Sequence, residues 1–289
     1  MGKNTKQMLR DMVELRNGLI VPGAFNALSA KVVVDQGFKA VYLTGAGLTN
    51  MYYGAPDLGI IGLRDVAECT ARMRDAVDVP LIVDGDTGFG NAVNVWQTVR
   101  TLERAGADAI QLEDQTFPKR CGHFGGKEVA PLAEMLAKIR AAVDARRDEN
   151  FLIIARTDCR AVLGFEAAVD RARQFGEAGA DILFVEAPES LDEVRQLPKL
   201  LDKPQLMNIV IGGKTPALDA LELGKLGFGI VLYANAALQG AVHGMQKSLQ
   251  ALKRDGRLDE DPDLVAPFLE RQRLVGKPLY DELEKRYSV

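Results

Sequence analysis

Cysteine, net charge and long apolar runs are all scarce in this chain, and each scarcity removes a class of protein. The three cysteines, Cys69, Cys121 and Cys159, are too few and too odd in number for a disulfide framework. A formal net charge of −4 leaves no basic footprint, so nucleic acid and anionic membranes are poor partners. No apolar stretch approaches the roughly 20 residues that span a bilayer. The polar first ten residues lack the apolar run of a signal peptide. No stretch rich in Pro, Gly or Ser divides the 289 residues into domains. What remains is an expected cytoplasmic protein whose 47% hydrophobic content supports a sizeable single core, residues 1–289 forming one domain.

Strand-like and helix-like patterns alternate from end to end. Apolar runs at 19–25, 40–45, 80–86, 109–114, 151–158, 182–186, 205–211 and 229–234 are mostly continuous, as parallel strands buried on both faces read. Helical patterns lie between them, for example at 92–103, 132–145 and 167–177. A weak repeat marks the helix-to-strand joints, where Gly37, Gly106, Gly179 and Gly227 each precede an apolar run. A glycine there closes a helix in the left-handed conformation. Eight strands with this joint predict a (β/α)8 barrel, with a doubly wound open sheet as the competitor. Residues 236–289 follow the eighth strand as a helical extension. Its apolar residues Leu264, Phe268, Leu269, Leu274, Leu279 and Leu283 lack an obvious surface within a complete barrel, so packing on a neighbouring subunit is expected.

Reactive groups of such barrels collect at the C-terminal strand ends. Those ends supply Thr44, Asp84, Asp86, Glu113, Arg156, Glu186 and Asn208. Strand periodicity puts Asp84 and Asp86 on one face, and Glu113 ends the next strand. Three carboxylates without a neighbouring histidine form a hard-oxygen set suited to Mg²⁺ or Mn²⁺; the plainer reading of Asp-Gly-Asp is turn chemistry. Arg156 is placed either to grip a substrate carboxylate or to make a structural ion pair. The stretch 117–127 carries Lys119, Arg120, Cys121, His123 and Lys127 among glycines, and reads as an active-site lid whose thiol, flanked by cations, can exchange protons. Cys69 and His243 read as packing residues on helices. The segment 212–215 ends like a phosphate-binding loop but has Asn208 where the first glycine is required.

Over nearly all of its length the chain resembles the isocitrate lyase/phosphoenolpyruvate mutase superfamily. The resemblance rests on Tyr42-Leu-Thr-Gly-Ala46, Asp57, the segment 84–90, Glu113-Asp114, Lys119-Arg-Cys-Gly-His123, Ala155-Arg-Thr-Asp158 and Glu186-Ala-Pro. It implies a barrel with an active-site Mg²⁺ bound at Asp84, Asp86 and Glu113, and a terminal helix exchanged between paired subunits of a tetramer, a dimer of dimers. The Lys-Arg-Cys-Gly-His signature is similar to that of the carbon–carbon lyase branch, in which the matching cysteine is the acid/base. The implied substrate is a small polycarboxylate of the 2-alkylmalate or 2-methylisocitrate type. By the same resemblance Cys121, His123, Tyr42, Lys119 and Arg156 would be catalytic. Thr44, Gly45, Ala46, Asp57, Gly122, Arg156, Glu186 and Asn208 would bind substrate. Oxaloacetate decarboxylation or hydrolysis, and phosphoenolpyruvate mutase chemistry, are the alternatives on this scaffold.

Overall fold

The computed structural model describes residues 4–116, 119, 128–213, 215–216 and 218–288. Eight parallel strands form its centre: β1 (Leu19–Ala24), β2 (Val41–Leu43), β3 (Leu81–Asp84), β4 (Ala109–Glu113), β5 (Leu152–Thr157), β6 (Ile182–Val185), β7 (Leu206–Asn208) and β8 (Ile230–Tyr233). Each pairs with its neighbour in sequence through β6, and β1 pairs with β8, which pairs with β7. A parallel bridge from Leu183 to Gln205 joins β6 to β7, so the sheet is a nearly closed barrel rather than an open doubly wound sheet. Every expected strand is present, each trimmed at one or both ends.

Helices surround the barrel. The chain runs α1 (Thr5–Glu14), α2 (Ala27–Asp35), α3 (Gly45–Leu48) with a π-helical turn Thr49–Tyr53, α4 (Leu63–Ala76), α5 (Ala92–Arg104) and α6 (Leu132–Ala145). It continues through α7 (Arg160–Leu163), α8 (Phe165–Glu177), α9 (Leu191–Leu200), α10 (Ala220–Leu226), α11 (Ala236–Asp255), α12 (Phe268–Leu274) and α13 (Lys277–Tyr287). Side-chain oxygens cap several starts, as Asn91 does for Val93 and Asn94 N–H. The repeated glycines Gly37, Gly106, Gly179 and Gly227 all have φ between 87° and 107°, the left-handed closure read from the sequence.

Two apolar shells hold the fold. The outer one lies between strands and helices and includes Val83, Val99, Leu112, Ile153 and Phe175. The inner one fills the barrel with Tyr42, Ile82, Leu152, Ile154, Phe184 and Leu206, and is closed below by Leu9 and Val13 of α1. Inward positions recur at every second residue. Continuing that count upward carries Ile82 to Asp84, Ala109 to Gln111 and Glu113, Ile154 to Arg156, Phe184 to Glu186 and Leu206 to Asn208. The polar site is therefore the topmost inward layer of the barrel.

The terminal extension is three helices, α11 to α13. Gly276, at φ 76°, separates α12 from α13. Arg273 of α12 forks onto both oxygens of Asp35 in α2, at 2.7 Å each, so the extension touches its own barrel. Even so, Phe268, Leu269 and Leu279 are exposed, and Leu264, Leu274 and Leu283 are only half-buried.

Candidate active site

The strand ends converge on a cavity of about 50 Å³ lined by Tyr42, Thr44, Ala46, Asp57, Asp84, Glu113, Lys119, Arg156, Glu186 and Asn208. Asp84 lies where β3 ends. Its Oδ2 accepts the Gly45 N–H at 3.2 Å, and its Oδ1 accepts the Gln111 amide at 3.3 Å. Asp86 reaches the same place by another route. It lies beyond β3 with φ 46°, so a left-handed turn, not the strand alternation expected from the sequence, brings it to the side of Asp84. A side-chain carbon built on Gly45 would meet Asp84 Oδ2 at 3.2 Å and Asp86 Oδ1 at 3.4 Å. Glycine thus leaves a cradle in which the two carboxylates face one another.

Among the described residues, two cations serve this acidic layer. The Lys119 ammonium lies 2.6 Å from Asp57 and 2.7 Å from Asp86, and no other hydrogen-bond donor among the described residues reaches those two oxygens. Arg156 forks onto Asp158 at 3.0 Å through Nε and Nη2, and approaches Glu113 at 3.3 Å and Glu186 at 3.8 Å. Its guanidinium also stacks 5.2 Å from the Phe184 ring. Of the two roles read for Arg156, the structure shows the ion pairs, and the residue also borders the cavity. The sequence reading missed Asp158 as its main partner, although Arg156 and Asp158 stand two residues apart.

Burial pushes the carboxyls up. Asp86 is raised to about 7 by desolvation and the nearby Asp84, against the pull of Lys119. Glu113 is raised well above the usual range by its burial, which Arg156 and Lys119 only partly offset. For Lys119 burial opposes the charge, but Asp86, Glu113, Asp84 and Asp57 outweigh it and the ammonium is held. Arg156 is held in the same way, by Asp158, Glu186 and Glu113 against burial. Among the described residues, six acid side chains (Asp57, Asp84, Asp86, Glu113, Asp158 and Glu186) thus meet two cations, Lys119 and Arg156, and burial favours a proton on Asp86 and Glu113.

That arrangement bears on the metal. Glu113 Oε1 and Asn208 Oδ1 are buried without a hydrogen-bond partner, and the donors are hard oxygens. Among the described residues no three of His, Cys, Asp and Glu are gathered tightly enough to cage an ion. Mg²⁺ usually takes one or two carboxylates and keeps several waters, so the arrangement fits it better than a metal needing a full protein cage.

Other expected residues are placed as follows. Thr44 Oγ1 caps α3 by accepting the Gly47 N–H, and its hydroxyl lies 3.4 Å from Asn235 Oδ1. The N–H groups of Thr44 and Gly45 are already taken by Ala24 O and Asp84, so these two are not free to hold a carboxylate in this arrangement. The Tyr42 phenol donates to Gln111 Oε1 at 2.6 Å, and burial together with Asp84 raises its pKa well above 10. It is a donor rather than a base. The Asn208 amide reaches Glu186 at 3.4 Å. Asp114 is structural, accepting from Thr157, Asp158 N–H and Arg171. Cys121, Gly122 and His123 lie outside the described residues. Cys69 is buried against Met73, Cys159 is buried, and His243 is exposed on α11. Sequence reading also missed Gln111 and Asn235. For Gln111 a signal existed: a polar residue inside an apolar strand, two before Glu113 and on its face.

Similarity to known proteins covers almost the whole chain. Residues 9–253 match the family model described as phosphoenolpyruvate phosphomutase. A 2,3-dimethylmalate lyase of Eubacterium barkeri is 40% identical over 285 residues, covering 99% of both chains. A 2-methylisocitrate lyase of Aeropyrum pernix is 42% identical over 279 residues, covering 96% of this chain and 89% of that one. Among solved structures, oxaloacetate acetylhydrolase with 3,3-difluorooxalacetate superposes with a TM-score of 0.91 at 33% identity, covering 97% of this chain and 96% of that one. Phosphonopyruvate hydrolase with oxalate and Mg²⁺ gives 0.88 at 32% identity, covering 99% of both.

Proposed function

The chain belongs to the phosphoenolpyruvate mutase/isocitrate lyase superfamily, and on that premise we propose that it is an Mg²⁺-dependent carbon–carbon lyase. Its substrate is a 2-hydroxy di- or tricarboxylate of the 2-alkylmalate or 2-methylisocitrate type, cleaved to a 2-oxo acid and a second carboxylate. The observation that carries this reading is the facing pair Asp84 and Asp86 across the Gly45 cradle, with the unpartnered Glu113 Oε1 beside them. Facing carboxylates repel one another and an incoming anion unless a proton or a cation sits among them, and a divalent cation can bind the anion as well. Asp84 and Asp86, with Glu113, would hold that ion directly or through water; Mn²⁺ would serve similarly. When bound it supplies Lewis-acid stabilisation of the substrate's 2-hydroxyl oxygen and carboxylate.

The chain's own residues do the rest. Arg156 and the Asn208 amide would donate to the departing carboxylate as it gathers charge. The C2–C3 bond breaks as the hydroxyl oxygen, having lost its proton, forms the carbonyl, and the electron pair moves to C3. Cys121 delivers a proton to that carbon, with His123 and Gly122 beside it in sequence. Tyr42, held protonated, orients oxygen atoms through its hydroxyl and leaves proton removal to a water. Thr44, Gly45 and Ala46 shape the floor, while Asp57 and Glu186 hold Lys119 and Arg156 in place. Phe184, Val210 and Leu232 give the cavity an apolar wall suited to an alkyl substituent.

The test is a screen of 2-methylisocitrate, isocitrate, 2,3-dimethylmalate, citramalate and oxaloacetate with Mg²⁺, reading 2-oxo acid. A 2-alkylmalate or methylisocitrate turned over best supports the proposal. The likeness to oxaloacetate acetylhydrolase favours a second reading, oxaloacetate cleavage; turnover of oxaloacetate alone, surviving Cys121→Ser, would establish it instead.

Assembly is proposed to be a homotetramer, a dimer of dimers joined through residues 236–289. Val242, Met245 and Leu249 on α11 are exposed, as are Phe268 and Leu269 of α12 and Leu279 of α13, more apolar surface than a lone chain usually shows water. Light scattering should give a mass several times 31.5 kDa. A stable active monomer would overturn this. No helix among the described residues is long and apolar enough to cross a membrane.

A further inference from the structure

We infer that Lys138 is a positioning residue for Asp86, acting through the main chain of the turn after β3. The inference rests on the metal-dependent reading above, because it concerns a carboxylate assigned to the ion. Asp86 sits past the end of β3 at φ 46°, a conformation that a residue with a side chain seldom keeps unless its surroundings impose it. The surroundings are visible in the carbonyls. Gly85 O accepts Gly88 N–H at 2.8 Å, and Asp86 O accepts Glu113 N–H at 2.9 Å. Thr87 O accepts the Lys138 ammonium at 3.3 Å, and Gly88 O accepts the Thr98 hydroxyl at 3.1 Å. Four successive carbonyls are each tied, two of them by side chains reaching in from helices.

Thr98 comes from α5 and is fully buried; Lys138 comes from α6 and is 5% exposed. The other recorded partner of Lys138 is Glu134, 3.1 Å away with a side chain 48% exposed. A half-exposed partner repays little of the cost of burying an ammonium. An apolar side chain would fill the space without that cost. What lysine adds is a donor directed at Thr87 O, one residue from Asp86. The same ammonium lines a chamber of about 560 Å³ behind Asp86 and Lys119, so its charge also lies on the acidic side of the turn. Residues that orient metal ligands in this indirect way typically change metal affinity or activity by about 10- to 100-fold.

The experiment measures Mn²⁺ affinity of the full-length protein by electron paramagnetic resonance, with kcat and KM at saturating Mn²⁺. Lys138→Met should weaken Mn²⁺ binding roughly tenfold and lower kcat, with substrate KM little changed. Lys138→Arg, which keeps a long donor, should recover most of the loss. Thr98→Val should shift Mn²⁺ affinity in the same direction by a smaller factor. Glu134→Gln should bind Mn²⁺ as the parent does. A folded Lys138→Met with parental Mn²⁺ affinity and kcat overturns the inference, as does a Glu134→Gln variant that reproduces the loss. Should Lys138→Met fail to fold, parental affinity in Thr98→Val overturns it and a weakened affinity there, with rescue in Lys138→Arg, supports it. A parent protein that binds no Mn²⁺ refutes the metal reading itself, a different failure that is seen before any variant is made.

Discussion

The two ends of the barrel bury carboxylates in opposite ways. At the bottom, Asp108 accepts from the Thr5 hydroxyl at 2.6 Å, Arg74 at 3.0 Å and Leu81 N–H at 2.7 Å. Asp181 accepts from Arg10 at 3.2 Å, Arg146 at 2.9 Å and Ile153 N–H at 2.9 Å. Each links α1 or an outer helix to a strand start. Burial raises Asp108 as well, but the donors from Thr5, Leu81 and Arg74 pull against it. At the mouth the same residue type outnumbers the cations among the described residues. Asp57 and Asp86 share one ammonium, and Glu113 keeps an unpartnered oxygen. Acids with local donors hold a fold together, whereas acids that outnumber their donors wait for something from outside.

The largest expected effect breaks the mouth alone. Chelation with EDTA should abolish turnover and Mg²⁺ or Mn²⁺ should restore it, while the bottom of the barrel stays folded by circular dichroism. Undiminished turnover in chelator would show that Lys119 and Arg156 suffice for the acidic layer. Next comes the thiol. Cys121→Ser should still bind substrate but lose roughly 10²- to 10⁴-fold in kcat, the usual worth of a positioned acid or base. Buried Cys69 offers the contrast, and Cys69→Ser should leave kcat near that of the parent.

A smaller effect should come from the other end. Asp108→Asn removes a charge-assisted acceptor, so about 1–3 kcal/mol of stability should be lost in urea unfolding with kcat unchanged. An equal loss of kcat would mean that the two ends are not independent. The smallest effect is in pH. Asp86 is raised in the folded chain to about 7 from an ordinary 3.8, so between these values the folded state holds the proton that the unfolded state has released. Metal-free stability from this group is therefore lost as pH rises through that window. A bound divalent ion removes the need for the proton, so the gain in Tm from Mg²⁺ should widen between pH 5 and pH 8 in thermal scans. A gain that is flat or shrinks with pH would place the titration elsewhere.

Sequence alone determined the eight strands, the glycine-closed joints and the inward sites Asp84, Glu113, Arg156, Glu186 and Asn208. All of these follow from local periodicity: an apolar run buried on both faces is a parallel strand, and every second residue points inward. The superfamily was legible too, from short motifs that survive compression into one dimension. Tertiary structure alone decided the rest, because those properties are sums over distant segments. Asp86 arrives through a left-handed turn tied down by Thr98 and Lys138, not through the pleat. Tyr42 is a donor because Gln111 faces it and burial keeps its proton. Arg156 answers first to Asp158. Which carboxylate finds a donor and which is left over is a matter of three-dimensional counting, and that count distinguishes the end of this barrel that holds it together from the end where its chemistry is proposed.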